Sequence, residues 1–232
     1  MVEGFSQRIA HVQERIEAAC DRSGRDPAEV KLVAVSKTHS VDTVREAISS
    51  GILVFGENKV QEGIDKIENI SNENCEWHLI GHLQSNKARK AITSFDVIQT
   101  VDSAKLANRL NRIAGDEGRY GFPVLLQVDL GKEKTKSGVY EEDLRKLVDE
   151  VLECSNLSLG GLMTIPPYLP DPDEVRPFFR RLRELRDQLA NEGVFGEGRG
   201  ELSMGMSHDF EAAIEEGATI VRVGTAIFGP RQ

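Results

Sequence analysis

The chain alternates eight times between short, β-rich apolar runs and amphipathic stretches of helical period, and no other feature narrows its fold as far. The strand candidates are residues 31–37, 53–58, 77–82, 96–102, 123–130, 157–164, 201–206 and 219–224. Between them lie segments such as "VDTVREAISSG", "SAKLANRLNRIAGDEG" and "EEDLRKLVDEVLE", several closing on glycine as helices commonly do. Such alternation implies parallel strands joined by crossover helices. Eight units in 232 residues predict an α/β fold, a (β/α)8 barrel of the TIM type forming one domain over residues 1–232. An open doubly wound sheet is the alternative. Phe5, Ile9, Val12, Ile16 and Ala19 repeat at helical spacing and predict an extra N-terminal helix ahead of the first strand.

Charge and cysteine usage exclude several classes of function. The net charge of −9 argues against nonspecific binding to nucleic acid or to an anionic membrane. The most basic stretch, "RPFFRRLRELR" at 176–186, interleaves its arginines with Phe178, Phe179, Leu182 and Leu185, and reads as the wet face of an amphipathic helix. Cys20, Cys75 and Cys154 are scattered and odd in number, which suits a reducing cytoplasm better than a disulfide scaffold. The N-terminal stretch has the charges of a helix rather than the core of a signal peptide, and no apolar run approaches membrane-spanning length. A cytoplasmic protein is expected.

Chemistry in barrels of this type gathers at the C-terminal ends of the strands, with phosphate often held by the loops after strands seven and eight. At the end of the first strand stands Lys37, above the apolar run "LVAVS". Desolvation disfavours an ammonium relative to the free amine, and a free amine in a pocket is what Schiff-base chemistry needs. The plainer alternative is a strand-end lysine that snorkels to water or pairs with a carboxylate. After the seventh strand, "LSMGMSHDF" supplies Gly205 and Ser207, and after the eighth, "TIVRVGTAIFG" supplies Gly224 and Thr225. Small residues let an anion approach the backbone, whose N–H groups, with nearby hydroxyls, then donate to it. Taken singly, Ser207 is also compatible with a helix N-cap and Gly224 with a strand end. Arg222 alternates with Val221 and Val223 on a strand whose two faces are both buried, so it needs an acceptor: a structural carboxylate, or the ring nitrogen of a bound heterocycle. A phosphate cradle, a lysine amine and an arginine for a ring nitrogen together describe a site for pyridoxal 5′-phosphate (PLP).

Six motifs in order, "AVSK", "FGENKVQEG", "WHLIGHLQSNKARK", "GLMTIPP", "LSMGMS" and "VRVGTAIFG", closely resemble the YggS/PROSC family of PLP-binding proteins over residues 32–229. The resemblance implies the alanine racemase N-terminal barrel fold and a role in vitamin B6 and amino-acid homeostasis. It also implies that Lys37 carries the cofactor as a Schiff base, and that Ser207, Gly224 and Thr225 hold its phosphate. Arg222 would meet the pyridine nitrogen, and Asn58 of "GEN" would lie near the ring. His39 after "SKT" and His208 after "GMS" depart from the residues expected there, without removing an implied cofactor contact.

His78 and His82, four apart, would share a helical face, but "WHLIGH" reads as a strand, where four residues span roughly 13 Å. No metal site is expected. The related racemases use a tyrosine from a second domain as the opposing base, and no such domain is expected in this chain. Of Tyr120, Tyr140 and Tyr168 only the last, in "PPYLP", is expected near the rim. The leading expectation is a monomeric binding protein that holds PLP or passes it to PLP-dependent apo-enzymes. A slow amino-acid racemase using Lys37 as base is the alternative, and an aldolase-like barrel acting on a sugar phosphate is a third reading.

Overall fold

In the computed structural model, residues 4–70, 74–133 and 137–229 are described. The chain opens with α1 (Phe5–Ser23) and then runs through β1 (Lys31–Val35), α2 (Val41–Ser49), β2 (Val54–Glu57), α3 (Val60–Asn69), β3 (Glu76–Leu79) and α4 (Ala88–Ser94). It continues through β4 (Val97–Val101), α5 (Ala104–Asp116), β5 (Phe122–Gln127), α6 (Glu141–Leu152), β6 (Leu157–Met163) and α7 (Arg176–Asn191). β7 (Glu201–Met206), α8 (Phe210–Glu215), β8 (Ile220–Val223) and α9 (Thr225–Phe228) complete it. The strands pair in sequence order, all parallel, and β1 closes on β8 through Leu32 opposite Val221 and Ala34 opposite Val223. The closed barrel decides against an open sheet.

Alternation along each strand builds two apolar layers. Ala34, Phe55, Leu79, Ile98, Leu126, Leu162 and Val221 point outward and join the helices in the large core. Val33, Val97, Leu125, Met163 and Ile220 form a small separate cluster inside the barrel. α1 packs the predicted stripe of Phe5, Ile9, Val12, Ile16 and Ala19 against the closing end of the barrel, each residue being buried. At roughly 1.5–3 kcal/mol for each large side chain, that stripe is enough to fix the helix there.

Several strands stop short of their predicted ends. β1 ends at Val35 rather than at Lys37, because the Ser36 carbonyl leaves the ladder to accept from the Lys66 ammonium at 2.7 Å. Lys37 therefore sits in the turn after the strand. The 176–186 stretch is helical as expected, and its arginines pair with Asp173, Glu141, Glu184, Glu215 and Glu216. Arg186 departs from the wet-face reading: it is buried, and donates to the Gly200 carbonyl at 2.7 Å. No helix among the described residues is long and apolar enough to cross a membrane.

Candidate functional site

At the C-terminal rim of the barrel lies a cavity of about 390 Å³, within the range of small-molecule sites. Lys37, Asn58, Ser207, Arg222, Gly224 and Thr225 all line it. They come from the ends of β1, β2, β7 and β8. Val35, Ile80, Ile165 and Met206 add apolar wall, and His208 completes the edge.

The loops after β7 and β8 are stitched together by Ser207. Its hydroxyl oxygen accepts from the backbone N–H of Gly224 at 3.1 Å and from that of Ala226 at 3.4 Å. The N-cap position of α8 belongs to Asp209, so Ser207 is not the cap of its own helix. Its hydrogen remains available to donate. Gly224 has no left-handed backbone; it is small because a Cβ there would stand 3.3 Å from the Val35 carbonyl oxygen. Gly205, by contrast, does not line the cavity. Its φ of +89° and the 2.6 Å that would separate a Cβ from the Ala213 methyl show that it lets β7 turn beneath α8.

Arg222 is buried, 3% exposed, and has no carboxylate in ion-pair contact among the described residues. Its guanidinium donates to the Ser203 hydroxyl at 2.6 Å and to the Thr164 carbonyl at 2.8 Å. Burial pushes its pKa down to about 10, against the opposing charge of Asp209. Asp209 is buried too, its carboxyl raised by burial, and its Oδ1 accepts from the Met206 N–H instead.

Ser203 passes the polarity on through the barrel interior. Its hydroxyl donates to Gln99 Oε1 at 2.6 Å, and Gln99 Nε2 donates to His78 Nδ1 at 2.6 Å. With Nδ1 accepting, the proton of the imidazole sits on Nε2, which donates to Glu76 at 2.8 Å. That hydrogen bond, and Lys31 beside it, hold the Glu76 carboxyl down to about 2. A single run of donors thus leads from the cavity to the opposite face, occupying both ring nitrogens of His78. His82 lies apart, beside Asp102 and Ser137.

The sequence reading missed this core chain, and it missed a second cluster of Glu57, Glu62 and Lys66 beneath the Lys37 turn. The signals available were a carboxylate ending a strand in "GEN" and the Glu62/Lys66 spacing of four. His39 stacks on Phe228 away from the cavity, whereas His208 lines it and approaches the carbonyls of Leu169 and Pro170 at 3.1 Å. Tyr168 packs against His208 with ring centroids 5.1 Å apart and is largely exposed. Tyr120 and Tyr140 are exposed elsewhere. Residues 134–136 of the "GKEKTKSG" loop lie outside the described residues.

The family model described as "Alanine racemase, N-terminal domain" matches residues 8–232. The chain belongs to that family. Within the family it is 46% identical over 226 residues to the pyridoxal phosphate homeostasis protein of Aquifex aeolicus, covering 97% of this chain and 98% of the relative. The protein of the same name from Escherichia coli K12 is 42% identical over 233 residues, covering 98% and 97%. The resemblance read from the six motifs is borne out. Among solved structures, PipY of Synechococcus elongatus with PLP bound superposes with a TM-score of 0.84 at 40% identity, covering 97% of this chain and 100% of that one. An alanine racemase from Corynebacterium glutamicum shares the fold at a TM-score of 0.67 and 18% identity, with 93% of this chain matched to 59% of the racemase.

Proposed function

We propose that this protein binds PLP in the rim cavity, holds it as a Schiff base on Lys37, and so contributes to PLP and amino-acid homeostasis in the cytoplasm. The observation that carries the reading is the convergence of an amine, a hydroxyl-and-amide cradle and a buried guanidinium on one cavity. These residues fit the group. Gly224 leaves the backbone open where a Cβ would crowd Val35, and Ser207 already gathers two N–H groups there, which suits a phosphate. Arg222 has further N–H donors beyond the two engaged, and it lines the same cavity, which suits a ring nitrogen. Val35, Ile80, Ile165 and Met206 suit the faces of an aromatic ring, with Asn58 beside them.

Bound PLP supplies an aldehyde and an electron-withdrawing ring. Lys37 would hold the group through its amine, the aldehyde carbon taking the nitrogen as a Schiff base and its oxygen being lost as water. A guanidinium that donates to the ring nitrogen leaves that nitrogen without a proton and weakens the ring as an electron sink, which favours holding over turnover. The relatives named pyridoxal phosphate homeostasis proteins and the PLP-bound PipY support the same reading. A monomer that releases PLP to apo-enzymes is part of the proposal, with light scattering as the test of its mass.

Purified protein treated with PLP and freed of unbound PLP by gel filtration is expected to keep a visible absorption band that Lys37→Ala lacks. A wild type that emerges colourless would overturn the proposal. A second reading, slow amino-acid turnover with Lys37 as base, draws on the Tyr168 ring packed against His208 at the cavity edge. Deuterium incorporation from solvent at the amino-acid Cα would support it, and no exchange across a panel of amino acids would exclude it.

A further inference from the structure

Below the Lys37 turn lies a buried ionic cluster that does not line the cavity. Lys66, on the α3 face turned inward and 4% exposed, donates from Nζ to three acceptors. They are the Ser36 carbonyl at 2.7 Å, Glu57 Oε1 at 2.6 Å and Glu62 Oε1 at 3.0 Å. Glu57, wholly buried at the end of β2, also accepts from the Ser36 hydroxyl at 2.6 Å. Glu62 also accepts from the Thr38 N–H. Both neighbours of Lys37 are therefore tied to the same three charges, Ser36 through its carbonyl and hydroxyl and Thr38 through its amide.

Two features mark this as more than packing. Thr38 has φ of +69°, in the left-handed region that a β-branched residue rarely adopts, and such strain persists only where the surroundings over-determine it. The cluster is also an expensive way to stabilise a barrel. Two carboxylates share one buried ammonium, burial raises the Glu57 carboxyl, and Glu57 Oε2 has no hydrogen-bond partner. Apolar side chains of equal volume would usually stabilise as well or better.

We propose that Lys66, acting with Glu57 and Glu62, is the positioning residue for Lys37: it locks the turn of residues 36–38 so that the Lys37 amine is delivered into the cavity. Lys66 acts on the turn and not on the ligand. The proposal rests on the reading that Lys37 captures PLP. A pre-set turn removes the ordering cost of bringing amine and aldehyde together.

The test compares wild type, Lys66→Met, Lys66→Arg and Glu62→Gln by three readouts. These are amide hydrogen exchange at Thr38 in the ligand-free protein, total PLP retained in equilibrium dialysis, and the fraction of retained PLP that borohydride fixes on Lys37. In Lys66→Met, Thr38 exchange is expected to rise about tenfold and the fixed fraction to fall about tenfold, while dialysis still finds PLP held by the phosphate cradle. Lys66→Arg, which keeps the charge and donors, is expected to recover most of both. If Lys66→Met does not fold, Glu62→Gln decides by the same readouts, since Glu62 is a quarter exposed and tolerates the change. Unchanged Thr38 exchange in a folded variant, or retained and fixed PLP falling in step, would overturn the clamp. A wild type in which nothing is fixed on Lys37 would instead overturn the cofactor reading, and the delivery role with it.

Discussion

Arg222→Met separates a ligand-directed arginine from a structural one, because the structure makes the two predict different energies. The fall of the Arg222 pKa from the ordinary guanidinium range to about 10 corresponds to about 3 kcal/mol of preference for the uncharged form in the fold. For a base whose folded pKa is depressed, that penalty is fully present below about 10 and is relieved as pH rises from there into the ordinary guanidinium range, so it acts in full at neutral pH. Replacing the guanidinium removes the penalty. It also removes two hydrogen bonds from a charged donor, to Ser203 and Thr164, each contributing about 1.5 kcal/mol. The two effects offset each other, and the ligand-free protein is expected to change in stability by no more than about 1.5 kcal/mol. Truncating one partner of a buried ion pair would cost about 3–5 kcal/mol, and Arg222 has no such partner among the described residues. PLP affinity, in contrast, is expected to fall by about tenfold or more as the ring nitrogen loses its donor. Urea unfolding of the ligand-free variant and equilibrium dialysis with PLP measure the two quantities. A loss of 3 kcal/mol or more with PLP affinity intact would refute the reasoning and make Arg222 a structural residue.

Other residues carry separable expectations. Ser207→Ala leaves the Gly224 and Ala226 amides without their acceptor, and dialysis is expected to show PLP affinity about tenfold weaker with unfolding altered by about 1 kcal/mol. Gln99→Leu strands the Ser203 hydroxyl and His78 Nδ1 in the barrel interior, for a cost of about 2–4 kcal/mol in urea unfolding. Added His78→Leu is expected to cost less than it does alone, and strict additivity would deny the chain. Glu76, whose folded pKa is depressed, contributes stability that is complete above its ordinary value of 4.5 and lost as pH falls toward about 2. Glu76→Gln is expected to flatten the stability–pH curve across that window, and an unchanged slope would contradict the His78–Glu76 hydrogen bond.

Repetition made the barrel legible. Each apolar run had little freedom but to be a buried parallel strand, and eight of them with helices between leave few ways to close. The rim residues followed from their positions at strand ends, where the fold itself says to look. What stayed hidden depended on contacts far apart in sequence. Lys66 lies in "VQEGIDKIEN", where a lysine four residues after a glutamate looks like a solvated pair; only the approach of β1 turns it inward. The early end of β1 has the same cause. Gly205 read as an opening for an anion because a glycine that admits a ligand and one that admits a helix look alike in sequence. The acceptor of Arg222 was open for a similar reason: Ser203 and Thr164 come from neighbouring strands, and neither is the carboxylate that pairwise charge reasoning looks for.

The central claim is that the amine of Lys37 captures PLP. Borohydride reduction of the PLP-treated protein, followed by mass spectrometry of its peptides, tests it most directly. The account predicts one reduced pyridoxyl group, located on Lys37 and absent from Lys37→Ala. A pyridoxyl group spread over exposed lysines, or none at all, would contradict it.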